Sequence, residues 1–421
     1  MSTPRRDFVK TMGFMMGAAL VTNKSDLFAQ ATSANQIPQS DNPDFWMWIQ
    51  QAYTTNPNLI NLNNGGVSPQ PRIVQEAFER YYRLCNEGPS YFMWRILDQG
   101  REPLRTKLAQ QAGCSAEEIA INRNTTEALD TVIFGLTMNR GDEVVLSRYD
   151  YPNVINAWKQ REIRDGIKIV WVDLPVPIED DDKIVDAYSS AFNSKTRIVN
   201  ITHMINWNGQ LLPARKIADA AHKKGIEVIV DGAHTFAHLE YKISDLDCDY
   251  FGTSLHKWLC APFGTGMLFV KKEKIKNIYP LFPNPEPRSE DIRKFEAQGT
   301  RSFPGEQAIG EAINFQMNIG NKRKEDRLRF LKNYWAEQAV KIPKVKLNTS
   351  LKPEYSCALA NFSIEGMKAS EIDTELFNKY KIHTVGIVWE KIDGIRVTPH
   401  VYTRLSELDK LLEAINAMAK K

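Results

Sequence analysis

Between Asp142 and Val270 the chain alternates short Val/Ile-rich runs with helical stretches, and this alternation constrains the fold more than any other feature. The strand candidates are Asp142–Leu146, Ile169–Val172, Arg197–Ile201, Glu227–Val230, Tyr250–Thr253 and Gly266–Val270. Such near-continuous apolar runs suit strands covered on both faces. Ala214–Lys224 reads as a helix between two of them, and an earlier helix begins near Thr125. Its buried stripe is Leu129, Val132, Ile133 and Leu136, at i, i+3, i+4 and i+7. Strands alternating with helices argue for an α/β fold with a mostly parallel sheet.

The Pro-rich stretch Tyr279–Arg288 interrupts the pattern. A long helix is expected over Ile309–Lys322 and onward. The tail then reads as a smaller α/β unit: strand Ala358–Ile364, helix Ala369–Lys379, strands Thr384–Trp389 and Gly394–Val397, and helix Leu405–Ala419.

The N-terminus precedes this pattern. Arg5-Arg6, Phe8 and Lys10 come before an apolar run, Thr11 to Thr22, and a small-residue site, Ala29-Gln30-Ala31. Basic start, short apolar run and A-x-A ending describe a secretory signal, and the paired arginines resemble a twin-arginine export signal. The run is too short to span a bilayer, which takes about 20 residues. The expected division is residues 1–31 as signal and 32–60 as an N-terminal segment. A large domain over 61–305 and a linking helix with a small domain over 306–421 follow. The expected location is the periplasm, reached through the export machinery, with no membrane anchor after cleavage.

Composition excludes other classes. Loss of residues 1–31 leaves 50 Lys+Arg against 49 Asp+Glu, so there is no basic field for nucleic acid. The five cysteines (Cys85, Cys114, Cys248, Cys260 and Cys357) show no C-x-x-C spacing, and no metal site or disulfide framework is expected.

Two polar residues beyond strand ends carry the chemistry. Asp231 closes the run Val228-Ile229-Val230, and Lys257 closes Ser254-Leu255-His256 beyond the end of another strand. Ligands in open α/β sheets sit beyond the carboxyl ends of strands. Pyridoxal phosphate needs a lysine for covalent attachment, a carboxylate to keep its ring nitrogen protonated, and donors for its phosphate. The lysine must also be usable as a neutral amine, well below its ordinary pKa of about 10.4.

With Asp231-Gly232-Ala233-His234 and Ser254-Leu255-His256-Lys257, the chain resembles the class V aminotransferase family. It is similar in form to isopenicillin N epimerase-like proteins and more distantly to cysteine desulfurases and kynureninases. The resemblance runs from about Asn61 to the C-terminus, and it implies the fold type I architecture of pyridoxal-phosphate enzymes. It further implies that Lys257 binds the cofactor covalently and shuttles protons, and that Asp231 bonds the pyridine nitrogen. His234 would lie near the ring hydroxyl, and Ser254 and His256 near the phosphate. Thr125 and Thr126, opening their helix, would join the phosphate cup. Tyr151, with Tyr149 as a competitor, would stack on the ring. Asn206 would lie near the ring hydroxyl. Thr300, in Gln298-Gly299-Thr300, would reach the phosphate of a neighbouring subunit, which makes a homodimer the expected partner state.

Arg396, in Gly394-Ile395-Arg396, matches the family arginine that pairs with a substrate α-carboxylate, a role suited to a planar fork. Asn64, in Asn64-Gly65-Gly66-Val67, and the aromatics Tyr91, Phe92 and Trp94 are expected to line the substrate pocket. Desulfurases need a mobile cysteine in the small domain, and Thr384–Trp389 has none. The expectation is therefore chemistry at the Cα–H bond of a small-molecule substrate, an amino acid, foremost amino transfer. Epimerisation or carbon–sulfur lysis is the alternative, and a non-catalytic binding protein on the same fold is the alternative of another class.

Overall fold

Seven strands form the central sheet: β2 (Ile119–Asn122), β3 (Glu143–Ser147), β4 (Lys168–Val172), β5 (Thr196–Thr202), β6 (Glu227–Asp231), β7 (Tyr250–Ser254) and β8 (Gly266–Val270). Their order is β2-β8-β7-β6-β5-β3-β4, parallel except for β8, which runs antiparallel to both β7 and β2. The computed structural model describes residues Pro43–Lys421, which form one unit. The export signal expected over residues 1–31 lies outside the described residues.

Strands β6, β7 and β8 are buried almost throughout, as strands covered on both faces must be. One apolar layer contains Val145, Val199, Val228 and Phe251; the other contains Val144, Ile198, Ile229 and Tyr250. The second layer includes Leu129, Val132 and Ile133 of the helix Thr125–Gly135, and Leu136 just beyond its end, the stripe expected from their spacing. The β8 residue that faces this helix start is glycine for want of room. A Cβ on Gly266 would stand 2.5 Å from the backbone nitrogen of Asn124.

A second sheet is antiparallel, in the order β12-β13-β10-β9, from β9 (Val345–Leu347), β10 (Ala360–Ile364), β12 (Val385–Trp389) and β13 (Ile392–Val397). Two more short strands, β1 (Ile60–Asn61) and β11 (Ile382–His383), pair in parallel, and Asn63 bridges Thr398. These pairings tie residues 60–63 to β11 and to the residue that follows β13.

The helices that matter below are α1 (Pro43–Gln51), α2 (Arg72–Glu87), α3 (Arg101–Ala112), α4 (Thr125–Gly135), α5 (Pro152–Asp165), α6 (Asp181–Ser189), α7 (Ala214–His222), α8 (Phe303–Ile319), α9 (Asn321–Ala339), α10 (Ala369–Tyr380) and α11 (Leu405–Ala419). The long helix expected through Ile309–Lys322 is two helices. Gly320 sits between them at φ +85°, a conformation glycine adopts without penalty, and it ends α8 before α9 begins. Strand β2 was not expected. Its four buried residues, Ile-Ala-Ile-Asn, are too short to show a period, and only pairing with β8 makes them a strand. The Pro-rich stretch has neither helix nor strand, as expected.

Candidate active site

The carboxyl ends of β7, β6, β5 and β3 lie side by side, so Ser254, Asp231, Thr202 and Ser147 end their strands on one edge of the sheet. Lys257 follows β7 and stands above that edge. Its amine is 3.4 Å from Nε2 of His234 and 6.0 Å from the centroid of the Tyr151 ring. Desolvation pushes the Lys257 ammonium down to about 8; Asp231 opposes the shift and Arg396 adds to it. Near neutral pH a usable share of the amine is therefore unprotonated.

Asp231 is buried, and its Oδ1 accepts the Ala233 N–H at 2.9 Å. Burial raises its carboxyl, against the Ala233 N–H and the Lys257 charge. His234 is held neutral: burial, then Lys257, Arg396 and His238, carry it well below the usual imidazole range. Its Nδ1 accepts the Trp258 indole N–H at 3.4 Å, which puts the ring proton on Nε2, facing Lys257.

The start of α4 forms a cup of donors. Asn124 caps the helix by accepting the Glu127 N–H at 2.9 Å. The Thr125 N–H donates to Ser254 Oγ at 2.9 Å, and the two hydroxyls are 2.7 Å apart. Asn153 of α5 donates to the Thr126 hydroxyl at 3.3 Å. His256 turns its Nδ1–H to the Thr265 carbonyl at 3.0 Å, leaving Nε2 as its free ring nitrogen. Hydroxyls at a helix N-terminus, where the macrodipole is positive, suit a phosphate.

Arg396 of β13 is buried and clamped: Nη1 donates to the Asn206 carbonyl at 3.0 Å and Nη2 to Asn63 Oδ1 at 3.0 Å. Burial brings its guanidinium down to about 10, with the Tyr151 phenol near enough to oppose that shift. Its Nε and the Asn206 Oδ1 are buried without a hydrogen-bond partner. Of the two competing tyrosines, Tyr151 faces Lys257, while Tyr149 lies in the apolar core.

Asn64 does not reach this group with a free atom. Its Nδ2 donates to the Thr398 and Asn61 carbonyls, and its Oδ1 accepts from Asn61 and from Tyr402. The side chain braces its own loop, and its neighbour Asn63 is the one that meets Arg396. Thr300 is exposed on the surface, in a segment tied to α4 by the Gln298–Glu127 hydrogen bond of 3.0 Å. Tyr91 and Trp94 are exposed, and Phe92 is half-buried. Sequence reasoning passed over Asn63 and Trp389. The Trp389 indole N–H donates to the Arg148 carbonyl at 2.9 Å, and its ring stacks on Trp207 at 4.7 Å, so β12 is latched to the loop that carries Tyr151. Neither residue belongs to a motif, and only tertiary contact reveals them.

The donor set fits pyridoxal phosphate. A carboxylate for a ring nitrogen, an amine of lowered proton affinity, an aromatic face and a hydroxyl-lined helix start surround one space, and orphaned polar atoms of Asn206 and Arg396 border it. Among the described residues no cluster of His, Cys, Asp and Glu suits a metal ion.

The profile of the family described as "Aminotransferase class-V" matches residues 60–386. The chain is 27% identical to the isopenicillin N epimerase of Amycolatopsis lactamdurans over 396 residues, covering 89% of this chain and 99% of that protein. It is 26% identical to a probable cysteine desulfurase of a Synechocystis strain, covering 85% of this chain and 90% of that one. Among solved structures, a mutant of C-DES with glycine covalently linked to its pyridoxal-phosphate cofactor superposes with a TM-score of 0.79 at 22% identity. That match covers 87% of this chain and 98% of the other, and the shared fold is that of the fold type I pyridoxal-phosphate enzymes.

Proposed function

This chain belongs to the aminotransferase class-V family, and from that premise we propose that it is a pyridoxal-phosphate enzyme that removes and returns the Cα proton of an amino acid, inverting its configuration. The observation that carries the reading is the Lys257 amine, 6.0 Å over the Tyr151 ring and 3.4 Å from a neutral His234. It supports a two-proton reading, because both the amine and the phenol across from it carry an exchangeable proton.

When bound, pyridoxal phosphate supplies a protonated ring that withdraws electrons and acidifies the α-hydrogen. Asp231 would hold the ring nitrogen and keep its proton. Thr125, Thr126, Ser254 and His256 would hold the phosphate, and Asn206 and His234 would flank the ring hydroxyl. Arg396 would grip the substrate carboxylate and so fix which bond at Cα faces Lys257. Lys257 would accept the proton as a neutral amine, and Tyr151 would deliver one to the opposite face.

Epimerisation draws support from the relative matched over 99% of its length. Amino transfer, foremost on sequence grounds, shares the first proton step and differs in where the proton returns and in needing a 2-oxo acid to take up the amino group. A cysteine-borne persulfide finds no support, because Thr384–Trp389 contains no cysteine and Cys260, three residues beyond Lys257, is buried with its thiol raised by burial. The exposed Thr300 supports a homodimer in which that residue completes the neighbour's phosphate cup. The Arg5-Arg6 segment supports export to the periplasm, where an epimerase needs no co-substrate.

The test is a panel of amino acids in deuterated water, with and without a 2-oxo acid, read by chiral chromatography and by deuterium at Cα. Inversion with deuterium uptake in the absence of a 2-oxo acid is expected. Product only with a 2-oxo acid would move the assignment to amino transfer, and a colourless protein that binds no cofactor would end the enzyme reading. Thr300→Ala should weaken cofactor retention, and sedimentation should report a dimer. Cell fractionation of an Arg5→Lys, Arg6→Lys variant should leave the precursor in the cytoplasm.

A further inference from the structure

Asp150 lies in the turn between β3 and α5, directly before Tyr151, and has no solvent exposure. Its Oδ2 accepts the Ser147 N–H at 3.0 Å, and its Oδ1 accepts a short hydrogen bond from the Thr202 hydroxyl. Thr202 is the last residue of β5 and pairs in register with Asp231, the last residue of β6. Two buried carboxyl groups are thus separated at the sheet edge by one threonine. The titratable groups acting on Asp150 include Asp231 from β6 and Tyr188, fully buried, from α6, and no salt bridge to Asp150 occurs among the described residues. Two buried acids side by side do not both ionise without large cost.

We propose that Asp150 is a positioning residue for Asp231: linked to it through Thr202, it carries the proton of the pair, and its ionisation adds the second negative charge that tightens the hold of Asp231 on a protonated pyridine nitrogen. The inference rests on the cofactor reading above. It assigns no contact between Asp150 and substrate or cofactor. Burial raises the Asp150 carboxyl, the Thr202 hydroxyl lowers it, and the charge on Asp231 raises it again, leaving it at about 7. Ionisation of Asp150 through that value adds a negative charge beside Asp231, so the site attracts a cationic ring more strongly on the alkaline side.

The test titrates the apoprotein with pyridoxal phosphate at about pH 5.5 and about pH 8.5, on either side of this ionisation, reading tryptophan fluorescence and the visible band. Asp150→Asn fixes the side chain as neutral. It should match wild type at the acid pH and bind roughly 3- to 10-fold more weakly at the alkaline pH, the effect of about half to one unit of coupling. The phosphate's own titration is common to both proteins and cancels. Equal affinity at both pH values overturns the proposal, and so does an equal loss at both, which is what a merely structural role would give. Should Asp150→Asn fail to fold by circular dichroism, Thr202→Val decides. Loss of the hydroxyl donor should move the pH step of cofactor binding upward by at least about half a unit, and an unmoved step overturns the proposal. A wild-type protein that binds no cofactor sinks this inference together with the function above, whereas cofactor binding with no effect of Asp150→Asn or Thr202→Val sinks this inference alone.

Discussion

The indole N–H of Trp258 donates to Nδ1 of His234 at 3.4 Å, and this one contact decides which nitrogen of the histidine faces Lys257. An indole can only donate, so Nδ1 accepts and the proton resides on Nε2. Trp258 is itself immobilised: it is fully buried between the rings of His238, 3.8 Å away, and His400, 5.6 Å away. Trp258→Phe keeps the stack and removes the donor. Nitrogen NMR should then show His234 exchanging between tautomers, and turnover should fall roughly 3- to 10-fold, the net worth of one hydrogen bond. A single unchanged tautomer in the variant would contradict the assignment.

Lys257 gives a prediction with a definite sign in pH. Its folded-state value of about 8 lies below the ordinary 10.5, so the folded apoprotein binds fewer protons than the unfolded chain between those values. Stability contributed by the neutral amine is present above about 10.5 and is lost as pH falls through about 8. Lys257→Met removes that penalty. In thermal melts at neutral pH the variant apoprotein should be the more stable by up to about 3 kcal/mol, and the difference should vanish toward pH of about 10.5. The same variant should show no visible protein-bound cofactor band after incubation and dialysis, and borohydride should fix no cofactor to the chain, whereas in the wild type borohydride abolishes the band and leaves the cofactor covalently attached.

Arg396 is held by two partners before any substrate arrives, the Asn206 carbonyl and the Asn63 side-chain Oδ1. A guanidinium already oriented loses little entropy on gripping a carboxylate. Arg396→Lys keeps the charge and loses the fork, and KM for an amino acid should rise by about 10- to 100-fold, since charge-assisted bonds are worth about 1.5–3 kcal/mol. The discriminating readout is a substrate ester. Inhibition by the free acid should weaken in the variant while inhibition by the ester stays put, and equal weakening of both would show that Arg396 serves the fold instead.

Most of the sheet was legible because its strands are buried on both faces, so Glu227–Asp231 and Tyr250–Ser254 announce themselves by composition alone. Strand β2 was not, because four residues carry no period and take their identity from β8. The site followed a similar rule. Asp231 and Lys257 stand in recognisable runs at strand ends, whereas Asn63, Asp150 and Trp389 act through partners more than 50 positions away in sequence, which no local pattern encodes. Asn64 and Asn63 show the limit most directly. Adjacent and chemically identical, they differ only in direction, one toward Thr398 and Tyr402, the other toward Arg396.

The segment that leads to Thr300 depends on a buried ion pair. Arg105 of α3 meets Glu296 at 2.5 and 2.9 Å, and Glu296 Oε1 also accepts the Ile121 N–H of β2 at 2.7 Å. Both side chains are almost fully buried; Glu102 at 3.0 Å is the second carboxylate on Arg105, and Arg101 at 3.2 Å the second guanidinium on Glu296. Glu296→Gln leaves the Arg105 charge short of its partner and should cost about 3–5 kcal/mol in urea unfolding. Replacing the pair together, Glu296→Gln with Arg105→Met, should recover a large part of that loss, because the Arg105 charge leaves with its partner while Arg101 keeps Glu306 and Glu102 keeps Arg293. Glu296 also anchors the end of the short helix that precedes Gln298. Cofactor retention should therefore fall in the single variant even under conditions where the fold is intact by circular dichroism. Unaltered retention there would mean that the 298–300 segment is positioned by something other than this pair.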